Sequence, residues 1–376
     1  MGIAKVNNVA GSAVAKVNGV TVSSIAKVND VEAAAAATAT RWVMVHDDRR
    51  VSYISNTDML AGNNWTDIAD AFAGGSAPLP SAGNDHINIA YGKDGSGSPM
   101  WVASYATDSK EIAYTSDPTA TPWTGQNNLA DGSSIPGRRF ALLWGNNVWV
   151  GVGKMGAKKI IKSANGSTWD GVDLSGVTGI TTANIYAVTS NGTGTWWIAQ
   201  ENRIYQSTDN AASWSLLHTL LNSSDADPGD IRALAYTNNT LVAGVDASTA
   251  TIYSASTSDL TDWSNETELN SSAYAFDNQP HIAAAGGRCV VVGQLLKWTF
   301  DVSGKTITMD ENGVDFSSTS HGNLTGVATD GSTWVACTFS GDTFFSTNGG
   351  DTWSDGEQNV NSKDALEVAP DVYLPL

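Results

Sequence analysis

Basic residues are scarce in this 376-residue chain: Lys and Arg number 20 against 38 Asp and Glu, a formal charge of −18. A surface of that sign repels nucleic-acid phosphates and anionic membranes, so neither is an expected partner. Cysteine is nearly absent, with only Cys289 and Cys337. They fall on adjacent repeat units at positions offset by about three residues, or ~10 Å along a strand, which does not suit a disulfide. Both are read as buried free thiols. No apolar run approaches the ~18 residues that a membrane helix needs. The opening MGIAKVNN lacks the apolar core of a secretory leader, and Val6 stands where a myristoylation signal wants Ser or Thr, so neither is expected. Charged residues make up only 15% of the chain, while Gly, Ser, Thr and Asn abound. That balance suits many short strands and tight turns, and the expected class is all-β.

What the chain does have is a pair of marks that recur together. A strand opens with a bulky residue followed by Val or Ile, at Trp42, Trp101, Trp149, Trp197, Leu241, Cys289 and Trp334. A Ser/Thr-x-Asp/Asn turn then closes on an aromatic residue, at Trp65, Trp123, Trp169, Trp214, Trp263, Phe316 and Trp353. A period in the mid-forties, held for more than three hundred residues, is one supersecondary unit copied around an array. In the fourth unit the reading is Ile185 to Val188, Trp196 to Ala199, Arg203 to Gln206 and Ser215 to Leu217, four antiparallel strands that make one blade of a β-propeller. Further inner strands are expected at Ile87 to Ala90, Phe140 to Leu143, Ile231 to Ala235, Ile282 to Ala285 and Leu324 to Ala328. The first unit has no inner strand before Trp42, so the segment Leu366 to Leu374 is expected to supply it and join the ends of the ring. Pro370 argues against this, because proline belongs on edges.

The turns have a physical role. In Ser207-Thr208-Asp209 or Ser346-Thr347-Asn348 the side-chain oxygens can accept from backbone N–H groups just ahead, with Gly or Asn supplying positive φ. The following Trp then wedges between sheets, worth on the order of 4 to 5 kcal/mol gross for ~200 Å² of buried indole. STNGGDTW at 346 to 353, SANGSTW at 163 to 169 and STDNAASW at 207 to 214 resemble the Asp-box, or BNR, repeat of propellers such as sialidases, sortilin-type receptors and a photosystem assembly factor. The units at 55 to 65, 115 to 123 and 256 to 263 are looser, and the sixth, Asp310 to Phe316, is degenerate. This resemblance spans about residues 41 to 360. It implies the fold, a seven-bladed β-propeller, and little about activity.

Ahead of it stands a shorter repeat. Residues 3 to 9, 14 to 20 and 25 to 31 read IAKVNNV, VAKVNGV and IAKVNDV, at a period of eleven. Each is a β-prone run broken by a turn-forming Asn pair, which predicts a miniature hairpin or a bend between extended segments. So little apolar surface cannot fold alone, and Ile3, Val6, Val14, Val17, Ile25 and Val28 are the expected docking residues. The expected division is an arm over 1–32, an Ala-rich spacer over 33–40 and a propeller over 41–376. Short Ile-Ala-Lys-Val-Asn-Gly repeats resemble the N-termini of structural proteins of tailed bacteriophages. That resemblance implies a virion protein, on tail or capsid surface, whose arm docks on other virion proteins or makes a homo-oligomer while the propeller faces a host receptor or glycan.

Catalytic chemistry finds little footing. A sialidase-type hydrolase, the enzymatic alternative, needs a clamp of three arginines; Arg41, Arg138, Arg139, Arg232 and Arg288 lie near inner or second strands, but the Phe-Arg-Ile-Pro motif of that family is missing. The five histidines are scattered without paired spacing. Asp225 to Asp230 lacks EF-hand spacing and reads as a solvated turn. No catalytic, metal or cofactor residue is nominated. A third reading is a scaffold that holds a protein partner on one propeller face. Most of the fourteen tryptophans occupy repeat positions; Trp144, Trp196 and Trp298 do not, and are the candidate recognition aromatics.

Overall fold

A computed structural model describes residues 40–46, 50–68, 71, 88–104, 112–135, 139–153, 159–246, 250–264, 267–269, 281–293, 296–315, 323–356 and 365–372, together with six two-residue strands among the first 32. The six pair as three hairpins, Lys5–Val6 with Val9–Ala10, Lys16–Val17 with Val20–Thr21, and Lys27–Val28 with Val31–Glu32. Of the expected docking residues, Val6, Val17 and Val28 each sit beside a hairpin turn, facing Val9, Val20 and Val31 in register. Ile3, Val14 and Ile25 lie outside the described residues.

The remainder is seven four-stranded antiparallel sheets, six in sequential strand order and one in which the C-terminal strand Ala365–Pro370 precedes the first three strands of the ring. The innermost strands are Ala365–Pro370, Asn88–Lys93, Arg139–Gly145, Ala187–Ser190, Asp230–Thr237, His281–Ala285 and Leu324–Thr329, and they pack one on the next around a closed ring. This is a seven-bladed β-propeller. Antiparallel order gives it two unlike faces. The turn face carries the first-to-second hairpins and the Ser/Thr-x-Asp/Asn turns; the mouth face carries the starts of the inner strands and the second-to-third connections.

The ring closes as the sequence suggested. Ala365–Pro370 pairs antiparallel with Arg41–His46, Val368 opposite Met44 and Pro370 opposite Trp42. Pro370 is tolerated because it ends the strand, and beyond it the pairing passes to Asp371. There Arg41 N donates to Asp371 Oδ1 at 2.6 Å, and Asp371 N donates to Arg41 O at 2.8 Å.

Seven hydrophobic layers fill the gaps between neighbouring blades. Trp42, Trp101, Trp149, Leu241, Cys289 and Trp334 point at the blade before their own, as do the turn-closing Trp65, Trp123, Trp169, Trp214, Trp263 and Trp353. The fourth blade corrects the expected phase. There Trp196 faces the third blade and Trp197 the fifth, where it stacks on Tyr236 with ring centroids 5.5 Å apart. Trp196 therefore holds the repeat position assigned to Trp197. In a strand a slip of one residue exchanges the two faces, and two adjacent tryptophans hide the slip from a sequence alignment.

The sixth blade departs further. Its third strand, Leu296–Ser303, joins its fourth, Thr306–Asp315, by a tight hairpin with Gly304 at φ 60°, so its turn precedes the expected 310–316. Phe316 lies outside the described residues. Trp298 and Phe300, both buried on the third strand, supply the aromatic bulk that this layer lacks at Cys289 and at the turn. Cys289 and Cys337 are free and buried in different layers, which keeps them apart.

The turn marks work as argued. Asp209 Oδ1 accepts from Ala212 N at 3.0 Å and Ser213 N at 2.8 Å, while Ser207 Oγ accepts from Ala211 N at 3.0 Å. Asn165 Oδ1 and Asn348 Oδ1 take the same place in the third and seventh blades, accepting from Thr168 N at 2.8 Å and Thr352 N at 3.0 Å. The indole N–H groups of Trp169 and Trp353 then donate back to Gly166 O and Gly350 O. In the first blade Ser55 instead caps a single helical turn, Asn56–Leu60, accepting from Asp58 N.

Candidate functional site at the mouth of the axial channel

The turn face is tied blade to blade. Trp149 Nε1 donates to Lys93 O at 2.9 Å, Asn210 Nδ2 to Asn146 O at 3.1 Å, Gly287 N to Thr237 Oγ1 at 2.9 Å, and Asn56 Nδ2 to Thr333 Oγ1 at 3.3 Å. Arg288 joins the sixth blade to the seventh through Gly349 O at 2.9 Å and the Asp351 carboxylate, and also meets Asp310 of its own blade. Side chains committed in this way hold the ring together and leave little for a ligand.

The mouth differs. Where the inner strands begin, a cavity of about 130 Å³ opens on the axis. Its walls are small or aliphatic groups, Ala141, Ala187, Val188, Ala233, Leu234 and Ile282, with four polar groups from four blades set among them: Asn88, Tyr186, Arg232 and His281. Small residues are expected there, because seven strands crowd one axis and a large side chain would close it.

Three of these polar groups, Arg232, Tyr186 and His281, are held from behind. The Arg232 guanidinium lies over the Tyr186 ring, 3.7 Å from its centroid, a contact worth ~1–2 kcal/mol where water is partly excluded. Arg232 Nη2 meets Asp230 at 3.0 Å, and its Nε lies 3.6 Å from Asp246. Nε itself is buried and makes no hydrogen bond among the described residues. Asn184 Nδ2 donates to Tyr186 Oη at 3.0 Å. His281 Nδ1 meets Glu367 Oε2 at 3.0 Å, a pair that reaches from the sixth blade to the closing strand. Glu367 sits at a bulge in that strand, which aims its carboxylate past Gly326; a Cβ there would lie 2.8 Å from Glu367 Oε1.

The candidates from sequence fall elsewhere. Trp144, Trp196 and Trp298 are all buried, at 5%, 0% and 1% exposure. None presents a ring at the surface, because each packs between blades: Trp144 against Gly92 and Trp149, Trp196 between the third and fourth blades, Trp298 between the fifth and sixth. Of the arginines, Arg41 and Arg288 begin second strands at the turn face, far from Arg232, and both meet carboxylates there. Arg138 and the side chain of Arg139 lie outside the described residues. A three-arginine clamp is not formed by the described residues. Asp227 Oδ1 accepts from Gly229 N at 2.9 Å, so that acidic loop is a self-capped turn. Among the described residues no group of three metal-ligating side chains converges.

One chain of groups invites a catalytic reading and fails it. His46 Nε2 lies 2.7 Å from Ser52 Oγ, which donates to Asp67. Asp67 thus takes the hydroxyl proton directly and does not orient the imidazole, and His46 and Ser52 are buried. Of the other histidines, His218 stacks on Trp263 at 5.9 Å, and burial lowers its pKa; His86 and His321 lie outside the described residues.

No protein-family model matches the chain, and no curated protein is significantly similar in sequence. Solved structures are similar in fold. U3-55K aligns with a TM-score of 0.56 at 9% identity, over 86% of this chain and 90% of that one. A chain of the Mitotic Checkpoint Complex gives 0.53 at 9%, over 84% and 86%. YCF48 from Cyanidioschyzon merolae gives 0.50 at 16%, over 76% and 88%. Identities this low speak to architecture alone, and on that point coordinates and comparisons agree that the chain folds as a β-propeller.

Proposed function

We propose that this chain is a binding protein, not a hydrolase, which offers the mouth face of its propeller to a partner and is anchored by its N-terminal repeats. The observation that carries this reading is the convergence of Asn88, Tyr186, Arg232 and His281, from four blades, on an open axial cavity. Recognition needs polar groups held rigid and partly desolvated, and the stacking on Tyr186 and the pairing with Glu367 hold them so. Hydrolysis of the sialidase kind would need two more arginines beside Arg232.

The finer reading is a structural protein of a tailed-phage virion, with residues 1–32 docking on the particle and the propeller turned to the host surface. Two features support it: the three Ile/Val-Ala-Lys-Val-Asn copies, and the hydrogen-bonded Ser-x-Asp/Asn turns that match the Asp-box pattern. Two measurements on the full chain test it. Deleting residues 2–32 is expected to abolish incorporation into particles, and normal incorporation sinks the docking role. Arg232→Glu is expected to abolish adsorption to host cells while the far-UV spectrum stays unchanged; undiminished adsorption sinks the mouth face as the binding surface. Release of sugar from host polysaccharide, lost in the same variant, would return the protein to the hydrolases.

A further inference from the structure

The outer edge of the sixth blade departs from those of the others. Its fourth strand, Thr306–Asp315, runs for ten residues, whereas the other outer strands run for two to five. Among the described residues no strand pairs with its outer side. Residues 306–309 are regular, and a bulge at Asp310 ends that stretch. Val302 N donates inward to Gly287 O at 2.8 Å. Backbone groups alternate along a strand, so Ile307, which lies opposite Val302, turns its N–H and C=O to the outer side, and Met309 does the same two residues on. An edge of this kind is a template for one more strand. Its two sides are unlike. Ile307 and Met309 pack on the layer between the fifth and sixth blades. Thr306, Thr308 and Asp310 are exposed on the other side, where two cations, Arg288 and the buried Lys297, stand against the three carboxylates of Asp301, Asp310 and Asp351.

A segment of the chain outside the ring fits this edge. Residues 1–29 hold Lys5, Lys16 and Lys27 and no Asp or Glu, whereas Thr306–Asp315 holds Asp310, Glu311 and Asp315 and no Lys or Arg. The arm's own pairing turns the right groups outward. Its hairpins close on Val6 with Val9, Val17 with Val20 and Val28 with Val31, so by the same alternation the backbone N–H and C=O of Lys5, Lys16 and Lys27 point away from the hairpin. Added in parallel with Lys5 level with Thr308, such a strand donates Lys5 N–H to Ile307 O and accepts from Met309 N–H at Lys5 O. Level residues share a side. Lys5 then joins the side of Asp301, which lies opposite Thr308, and Val6 joins the apolar side of Ile307 and Met309. An antiparallel strand would set Lys5 opposite Ile307 or Met309 and lose both matches. Lys16-Val17 and Lys27-Val28 repeat the fit. Each ring offers one such edge against three motifs in each arm, so the motifs address other copies of the chain. Two hydrogen bonds and an ion pair make a weak contact, and linked copies strengthen it through effective concentration.

We propose that the Lys-Val strand of an arm hairpin adds in parallel to residues 306–309 on the sixth blade of a second copy, so that the chain self-associates through its N-terminal repeats. This rests on the anchoring role of residues 1–32 and names a partner for it. The test is sedimentation velocity on the purified full-length chain across the micromolar range, at ~0.15 M salt, where a Debye length of ~8 Å screens the general repulsion between like-charged copies. Concentration-dependent oligomers are expected, with the Met309 amide exchanging its hydrogen at least ten-fold more slowly in the oligomer than in the monomer. Thr308→Lys, an exposed change on the acidic side, is expected to raise the association Kd at least ten-fold. Lys5→Glu, Lys16→Glu and Lys27→Glu together should do the same. Combining all four should restore association, because the charges are then exchanged across the contact. A chain that stays monomeric, oligomers indifferent to these variants, or a Met309 amide that exchanges equally fast in both states overturns the proposal. No particle enters this assay, so a monomer overturns self-association alone and leaves the arm's docking role to the deletion test above.

Discussion

Trp196 decides between two accounts of the aromatic residues, so its replacement by alanine is worth working through. The side chain is wholly buried between the third and fourth blades, packed with Val150, Val152 and Val188, and its Nε1 donates to Asn210 Oδ1 at 3.2 Å. Removing the indole forfeits ~200 Å² of apolar burial, about 5 kcal/mol at ~25 cal/mol per Å². The measured range for Trp→Ala in a core is ~3–5 kcal/mol, because some neighbours relax into the space. The hydrogen bond adds little to this, since Asn146 Nδ2 also approaches Asn210 Oδ1, at 3.4 Å, and Asn210 still donates to Asn146 O. A loss of about 4 kcal/mol is expected, a large part of the 5–15 kcal/mol that a folded domain has to spare. Guanidinium unfolding followed by far-UV circular dichroism reads it directly; tryptophan emission would be averaged over fourteen residues. Trp196→Phe should recover more than half of the loss. A Trp196→Ala protein within ~1 kcal/mol of the parent would refute the wedge and restore Trp196 to a recognition role.

Three further outcomes follow from other parts of the ring. Gly92→Ala would place a methyl 2.2 Å from Trp144 Cγ, so it should cost ~1–3 kcal/mol, whereas Gly125→Ala, with nothing within 4 Å, should be near neutral in the same melt; equal effects would refute the packing argument. Ending the chain at residue 364 removes the closing strand, with Val368 and Ala369 from two layers, and should yield an aggregating protein; a soluble truncated chain with an unchanged melting temperature would contradict closure by that strand. Burial acts to raise the Asp209 pKa, but hydrogen bonds from Ser213, Ser207 and Ala212 outweigh it and hold the value near 2, below the ordinary 3.8. A depressed carboxylate stabilises the fold above pH 3.8 and loses that contribution as pH falls toward 2. Asp209→Asn should therefore flatten the stability profile between pH 4 and pH 2, and an unchanged slope in urea melts across that window would show the turn to be unimportant.

Much of the architecture was legible in the residues because it is local and repeated. Alternating strands, Asn and Gly at positive φ and Ser-x-Asp turns are decided within a few residues, and a copied unit signals them several times over. Asn146, Asn147, Asn238 and Asn239 all adopt the left-handed conformation that hairpin turns require. Even the closing strand could be inferred, since one unit lacked an inner strand and the chain's other end offered one. The phase of Trp196 and Trp197 could not, because either residue satisfies the pattern and only the neighbouring blades distinguish them. The same holds for Trp298, whose irregular spacing came from an aromatic residue moved from turn to strand within one layer.

The mouth of the channel belongs wholly to the tertiary structure. Arg232, Tyr186, His281, Asn88 and Glu367 come from five blades and carry no shared spacing or motif. Arg232 stood out only as one arginine among several near inner strands, and His281 as one of five scattered histidines. Period and turn chemistry determine that seven sheets exist and where each begins. Ring closure decides which strand ends meet on the axis, because it packs Ala365–Pro370 against Asn88–Lys93 and pairs His281 with Glu367, and no local pattern encodes contacts over such separations.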